Sequence, residues 1–85
     1  MATAQAKTVH IRYYALLRDE RGLADEQIVT EAGTLAQLYE EIRKRHGLSL
    51  PQDRMSVAVN DAFADWSDFL KDRDTVVFVP PVAGG

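Results

Sequence analysis

The chain has 85 residues, of which 46% are hydrophobic and 27% charged, and its formal net charge is −3. This length suits one domain, and the small negative charge argues against nucleic acid as the main partner, because phosphate binding requires clustered lysine and arginine. No cysteine is present, which excludes a disulfide framework, a thiolate nucleophile and a cysteine-based zinc site.

The sequence also disfavours metals and membranes. The two histidines, His10 and His46, are isolated from each other and predict no metal site. The first residues lack an apolar stretch of signal-peptide length, and no segment approaches the length that crosses a membrane. A small fold without disulfides is typical of the cytoplasm, so we expect a cytoplasmic protein without a membrane partner.

The first predicted elements are two strands. Residues 1–6 are small, polar and aperiodic, and we expect them to be disordered. The sequence TVHIRYY alternates, which predicts a strand with Val9, Ile11 and Tyr13 on its buried face. ALLRDERG then leaves the strand through a turn closed by Gly22, and ADEQIVTEA predicts a second, weaker strand.

The segment GTLAQLYEEIRKRHG predicts the main helix. Thr34 and Gln37 have the spacing of a capping box, and Gly47 suits the C-terminal end. Apolar residues recur three and four positions apart and form one stripe, so the helix should lie across a sheet. The stripe consists of Leu35, Leu38, Tyr39 and Ile42.

Three further strands are predicted after the helix. MSVAVND indicates a strand that ends in a turn at Asn60 and Asp61. AFADWSDFL predicts a short strand and then a tight helical turn near residues 67–70, with Trp66 and Phe69 in the core or anchoring the loop. KDRD is a polar turn, and TVVFV is a strong final strand.

The order of these elements predicts the fold. In the final strand, Val76 and Phe78 should face the helix. With strands before and after one helix, the first and last strands can lie parallel in the middle of a mixed sheet. We therefore expect an α+β domain over residues 7–79: a β-grasp (ubiquitin-like) roll in which one main helix covers about five strands.

The C-terminal segment raises the functional question. The prolines should stop strand pairing and keep the chain extended, and the glycines can enter a narrow channel. We expect a flexible extended tail that consists of Pro80, Pro81, Val82, Ala83, Gly84 and Gly85. The Gly85 carboxylate would become reactive once another enzyme adenylates it with ATP. The adenylate could then accept sulfur, giving a thiocarboxylate, or an amine, giving an isopeptide bond.

Apolar residues near the root of this tail are candidates for binding a partner. The alternation places Tyr14, Val77 and Val79 on the sheet face that the helix does not cover. An exposed apolar patch there could serve as a docking surface. Arg18 is a further candidate for fixing the partner.

Three stretches resemble the small subunit of molybdopterin synthase, the MoaD family of sulfur carriers: IRYYALLRDERG, VNDAF and VVFVPPVAGG. The resemblance extends from Val9 to Gly85. Family members often have a glycine in the acidic turn before the last strand, where this chain has Asp72, Arg73 and Asp74. This departure leaves the type of that turn open.

The resemblance implies a mechanism. An E1-like activating enzyme would adenylate Gly85, a sulfurtransferase would supply the sulfur, and the thiocarboxylate would deliver it to cyclic pyranopterin monophosphate. Delivery would occur in the large subunit of molybdopterin synthase, in an assembly of two small and two large subunits. The domain would bind no cofactor or metal and would not be catalytic alone, since ATP is used by the activating enzyme.

Two other functions use the same activated glycine. The chain could be a ubiquitin-like modifier that is conjugated to proteins through Gly85, or a sulfur carrier for thiamine or cysteine synthesis. The tail does not distinguish these functions, and the sequence identifies neither the activating enzyme nor the sulfur donor. A standalone enzyme is disfavoured, because no nucleophile–base pair is recognisable.

Overall fold

The structure, a computed structural model, describes residues 5–81. Its elements in chain order are β1 (Lys7–Tyr13), α1 (Ala15–Arg21), β2 (Asp25–Thr30), α2 (Leu35–His46), a short 3-10 helix (Gln52–Arg54), β3 (Ser56–Val59), β4 (Ala62–Ala64) and β5 (Thr75–Val79). The five strands form one sheet in the order β2-β1-β5-β3-β4. The central strands β1 and β5 are parallel, and the other pairs are antiparallel. The predicted α+β fold is therefore confirmed.

The core lies between the sheet and α2. The alternating residues of β1 and β5 and the apolar stripe of α2 are buried in one cluster, as their spacing predicted. Tyr39 of α2 packs edge-on against Phe78 of β5, with ring centroids 5.0 Å apart. Trp66 stacks on the same Phe78 at 6.0 Å, so it packs against the core as predicted.

The capping signals of α2 are confirmed. The Thr34 hydroxyl accepts a hydrogen bond from the Gln37 N–H at 3.2 Å, and the Gln37 side chain accepts one from the Thr34 N–H at 3.3 Å. At the other end Gly47 has a φ of 68°, and its N–H donates to the Arg43 carbonyl at 2.8 Å. Both ends of α2 are thus fixed by local sequence.

Helix α1 corrects the prediction that residues 15–22 form a simple turn. Only Leu17 of α1 is buried, so the helix has no apolar stripe that could be read from the sequence. Its N-cap residue Tyr14 makes no side-chain capping bond, and Ala15 has a φ of 51°. Gly22 does close the segment, with a φ of 85° and an N–H that donates to the Arg18 carbonyl at 2.9 Å.

The helical turn predicted near residues 67–70 is wrong. The segment forms a β-turn, in which the Asp68 N–H donates to the Asp65 carbonyl at 2.9 Å, and Phe69 then forms an isolated bridge to Thr34. Pairing with the chain that enters α2 satisfies this backbone without a helix. Phe69 is 78% exposed and therefore is not a core residue.

Two turns, one between β3 and β4 and one just before β5, have left-handed backbone. Asn60 and Asp61 have φ values of 51° and 72°, as in the two-residue hairpin turns that match the twist of the flanking strands. This confirms the predicted turn between β3 and β4. Arg73, in the acidic turn before β5, has a φ of 70°. The acidic turn, in which family members often have a glycine, therefore contains a residue in a conformation that favours glycine.

Candidate functional site

The root of the predicted tail lies in the middle of the sheet. β5 pairs with β1 on one side and with β3 on the other, so the chain leaves the sheet from a strand that is held along both edges. Pro80 is buried and Pro81 is exposed, so the exit point is packed against the domain. Four predicted tail residues lie outside the described residues, and their roles remain predictions: Val82, Ala83, Gly84 and Gly85.

Two of the predicted docking residues lie on the outer face of the sheet, opposite α2. Val77 is paired with Arg12 of β1 and with Ala58 of β3, and Val79 is paired with Ser56. Both valines are half-buried, whereas their neighbours in β5 on the α2 side are fully buried. The alternation therefore assigned the two faces of β5 correctly. The role of these valines in binding a partner remains a prediction.

Tyr14 and Arg18 are carried by the chain that leaves β1. The last pair between β1 and β5 joins Tyr13 to Phe78, so one further step of this register sets Tyr14 level with Val79. Tyr14 is 45% exposed. Arg18 is also exposed and lies on α1, which begins just after β1 ends.

One aromatic residue of this surface, Phe63, was not among the predicted docking residues. Phe63 of β4 is paired with Ala58, and Ala58 is paired with Val77, so the three residues form one row across three strands. Phe63 is 78% exposed. The sequence does indicate this position, because the two-residue turn at Asn60 and Asp61 fixes the register between β3 and β4. That register sets Phe63 on the same face of the sheet as Ala58. We call the following set the outer patch: Tyr14, Ala58, Phe63, Val77 and Val79.

An open groove of about 500 Å³ continues the outer patch to the root of the tail. Phe63 and Val79 belong to both the patch and the groove. The groove is lined by Met55, Ser56, Phe63, Val79, Pro80 and Pro81, with Asp53 and Arg54 at the side. A partner that covers the outer patch would therefore also contact the prolines that begin the tail.

A hydrogen-bond network joins three elements next to Tyr14. The Tyr13 hydroxyl donates to Glu26 Oε2 at 2.6 Å, and Arg21 donates from Nε and Nη2 to the two oxygens of Glu26 at 2.9 and 2.8 Å. The side chains of Arg21 and Glu26 are only 19% and 15% exposed. The hydrogen bond from Arg21 lowers the pKa of Glu26, and burial raises the pKa of Tyr13, so Glu26 is ionised and Tyr13 is a neutral donor.

Two negative findings apply to residues 5–81. No helix among them is long and apolar enough to span a bilayer. No three histidine or carboxylate side chains in this part of the chain are grouped so that they could hold a metal ion.

Comparison with known proteins identifies one family. The sequence profile of the ThiS family matches residues 11–85. A protein of Pyrococcus furiosus assigned as molybdopterin converting factor, subunit 1, is 32% identical, with a TM-score of 0.73 over 89% of this chain and 99% of that chain. A chain from the complex of subunits 1 and 2 of the molybdopterin-converting factor of Helicobacter pylori is 26% identical, with a TM-score of 0.62 over 92% and 99%.

A third structure shares the fold alone. Small archaeal modifier protein 1 of Methanosarcina acetivorans has a TM-score of 0.77 over 95% of this chain and 99% of that chain, at 16% identity. The family match covers nearly the whole chain and agrees with the resemblance to MoaD-type proteins. The chain therefore belongs to the ThiS/MoaD family of small β-grasp carrier proteins.

Proposed function

We propose that this chain is the sulfur carrier subunit of a molybdopterin synthase and that Gly85 carries the sulfur. The observation that carries the proposal is the exit of the tail from the central strand β5, directly beside an apolar outer patch and groove. The identity of 32% with a molybdopterin converting factor subunit 1 supports the choice of this pathway.

The proposed chemistry takes place on the tail, in the active sites of other proteins. A carboxylate oxygen of Gly85 attacks the α-phosphorus of ATP on an E1-like activating enzyme, and pyrophosphate leaves. A persulfide on a sulfurtransferase then displaces AMP and forms an acyl disulfide, and a second thiol attacks its S–S bond, which releases the Gly85 thiocarboxylate and leaves a disulfide on the sulfurtransferase. Gly84 has no side chain, which lets the tail pass through a narrow channel. The domain contributes docking, and the enzymes that receive the tail contribute the catalytic groups.

The proposed acceptor of the loaded tail is the large subunit of molybdopterin synthase. There the thiocarboxylate sulfur bonds to a carbon of cyclic pyranopterin monophosphate, and water hydrolyses the resulting thioester, which leaves the sulfur on the pterin and returns Gly85 to a carboxylate. The outer patch and the groove beside Pro81 would seat the domain on the large subunit, with two small subunits flanking a dimer of large subunits in the cytoplasm. The complex of subunits 1 and 2 from Helicobacter pylori supports a partner of this kind.

A charging assay tests the proposal. The chain is incubated with ATP, its host's E1-like enzyme, the sulfurtransferase and a sulfur source, and the mass of the C-terminal peptide is measured. We expect the increase that accompanies replacement of one oxygen by sulfur, and molybdopterin formation once the large subunit and cyclic pyranopterin monophosphate are added. Deleting Gly85, or adding one residue after it, should abolish charging while the melting temperature stays unchanged. A tail-extended chain that supports full cofactor synthesis without being trimmed would contradict the proposal.

The same materials distinguish the two alternative functions. If the chain is a ubiquitin-like modifier, digested cell extracts should contain branched peptides in which Gly-Gly is attached to target lysines. The reason to search for them is that this chain shares its fold with small archaeal modifier protein 1. A carrier for thiamine or cysteine synthesis would acquire the thiocarboxylate but would not support molybdopterin formation with the large subunit.

A further inference from the structure

Helix α1 depends on the rest of the domain for its position. It has seven residues, and isolated helices shorter than about 12–15 residues are marginal in water. Its N-cap residue Tyr14 makes no side-chain capping bond, and Ala15 has a φ of 51°, which disfavours a residue with a Cβ atom. Tertiary contacts must therefore hold α1 in place.

Leu17, which is buried in the core, and two sets of hydrogen bonds hold α1. On the surface, Glu20 accepts a hydrogen bond from the Ser49 N–H at 3.0 Å. In the interior, Arg21 makes two hydrogen bonds to Glu26 of β2, and Tyr13 of β1 makes a third to the same carboxylate. Glu26 is thus the side chain through which α1 is joined to both strands.

Helix α1 is longer and more elaborate than a connection between β1 and β2 requires. β1 and β2 are antiparallel neighbours, which a hairpin loop of two to five residues could join. The chain instead carries a helix with strained backbone and a largely buried ion pair, two features that are unfavourable unless something compensates for them. Backbone strain of this kind is concentrated at functional positions in proteins.

Two large apolar side chains at the start of α1 remain exposed. Leu16 is 44% exposed and Tyr14 is 45% exposed, whereas Leu17 is fully buried. Tyr14 belongs to the outer patch, and Leu16, two residues later on α1, is the next exposed large apolar side chain along the chain.

We infer that Glu26 is a positioning residue for docking to the E1-like activating enzyme. It acts through Arg21, whose place on α1 determines where Leu16 and Tyr14 meet this enzyme. The inference rests on the proposed function, since it concerns the surface that seats the domain while Gly85 is activated. It adds Leu16 to the contact surface and assigns a role to a carboxylate that takes no part in the chemistry.

The test measures adenylation of Gly85 by the E1-like enzyme, as ATP–pyrophosphate exchange with varied concentrations of the carrier. We expect Glu26→Gln to raise the KM for the carrier roughly tenfold with little change in kcat, because the tail is intact and only docking is weakened. Tyr13→Phe, which removes one hydrogen bond and keeps the packing, should have a smaller effect of the same kind. Glu40→Gln removes the same charge from a partly exposed ion pair with Arg43 on α2 and should leave both constants unchanged.

Two double variants separate positioning from general loss of structure. Exchanging the pair, as Arg21→Glu with Glu26→Arg, should restore much of the KM. Adding Glu26→Gln to Leu16→Ser should cost less than the sum of the single effects, because both changes remove the same contact. A wild-type carrier that is not adenylated would overturn the proposed function and the inference together. If the wild-type carrier is adenylated and the Glu26→Gln and Tyr13→Phe variants have the same KM as the wild type, the inference alone is overturned.

Discussion

Asn60 and Asp74 connect the two turns that precede β5. The side-chain nitrogen of Asn60 donates to Asp74 Oδ1 at 3.0 Å, and the side-chain oxygen of Asn60 accepts from the Thr75 N–H at 3.0 Å. The second oxygen of Asp74 accepts from the Lys71 N–H at 2.8 Å. Asp74 is buried, and both of its oxygens have partners inside the domain. The first residue of β5 is thereby fixed, and with it the register that places Val79 at the root of the tail.

Removing the Asp74 side chain should destabilise the domain. Asp74→Ala removes the charged acceptor of two part-buried hydrogen bonds, from Asn60 and Lys71, so we expect a loss of about 1–3 kcal/mol in the free energy of unfolding, measured with urea. Asp74→Asn keeps one oxygen acceptor and should lose less. Asp19→Ala, at an exposed position of α1, is the control. Equal stability of Asp74→Ala and the wild type would mean that water replaces these bonds without loss.

Glycine at position 73 should stabilise the chain. Arg73 adopts a left-handed backbone that is unfavourable by roughly 1–2 kcal/mol for a residue with a Cβ atom, and its side chain is 90% exposed. Arg73→Gly removes that strain, partly offset by the larger entropy of glycine in the unfolded chain, so we expect a small rise in melting temperature. Arg73→Ala deletes the side chain but keeps the strain and should change little. A lower melting temperature for Arg73→Gly would show that the arginine side chain stabilises the turn.

Phe63 and Phe69 form a matched pair for testing the outer patch. Both are 78% exposed, but Phe63 lies in the outer patch, whereas Phe69 lines a groove with Asn60 and Asp74 near the start of β5. We expect Phe63→Ala to weaken binding to the large subunit by about 2 kcal/mol, as for an aromatic residue at the centre of an interface, and Phe69→Ala to have no effect. Titration calorimetry on both variants provides the comparison. Equal affinities of the two variants would remove Phe63 from the interface.

A charge at Val79 should impair docking more than folding. Val79→Asp puts an unpaired carboxylate into the interface with the large subunit. Burying this charge should cost about 2–4 kcal/mol of binding free energy, as at a hot spot. Val79 is half-buried in the free domain, so a modest drop in melting temperature is also expected. Val29→Asp makes the same change on the edge strand β2, where the valine is exposed, and should leave affinity intact. Unfolding of Val79→Asp at room temperature would contradict the outward orientation of this side chain.

The network around Glu26 should make stability depend on pH in acid. Its pKa is lower in the folded than in the unfolded chain, chiefly because Arg21 donates hydrogen bonds to the carboxylate. The ionised form therefore stabilises the fold above the unfolded pKa of about 4.3, and this contribution is lost as the pH falls toward the folded pKa. We expect the free energy of unfolding to fall less steeply below pH about 4.3 in Glu26→Gln than in the wild type. Some slope should persist, since hydrogen bonds from Ser49 also lower the pKa of Glu20. Parallel pH profiles of the variant and the wild type would mean that the pKa of Glu26 is the same in the folded and the unfolded chain.

The parts of the fold that could be predicted are those specified by local sequence. The capping box at Thr34 and the apolar stripe of α2 need only twelve or so neighbouring residues, and the alternation in β1 and β5 needs fewer. Helix α1 has one buried residue, Leu17, and is held by Glu26 from another strand, so no local pattern indicates it. The exposed position of Phe69 likewise follows from a backbone bridge to Thr34, which is distant in sequence.

The candidate site divides in the same way. The face of the sheet on which Val77 and Val79 lie was predictable, because the side chains of a strand alternate between two faces. Phe63 entered the outer patch only through pairing across β4, β3 and β5, which depends on contacts between distant segments. The reactive role of Gly85 is a prediction from the tail sequence and from the family.

The central position of β5 also has a mechanical consequence. An enzyme that grips the tail pulls along the strand axis, nearly perpendicular to the hydrogen bonds that join β5 to its antiparallel neighbour β3. Such a force acts in shear on the hydrogen bonds that join β5 to β1 and β3. These bonds share the load, so all of them must break together before β5 can move. The edge strand β4 spans only Ala62–Ala64 and would instead peel from β3 one bond at a time. We therefore expect the domain to remain folded under tension while its C-terminal residues are drawn into a narrow channel and withdrawn again.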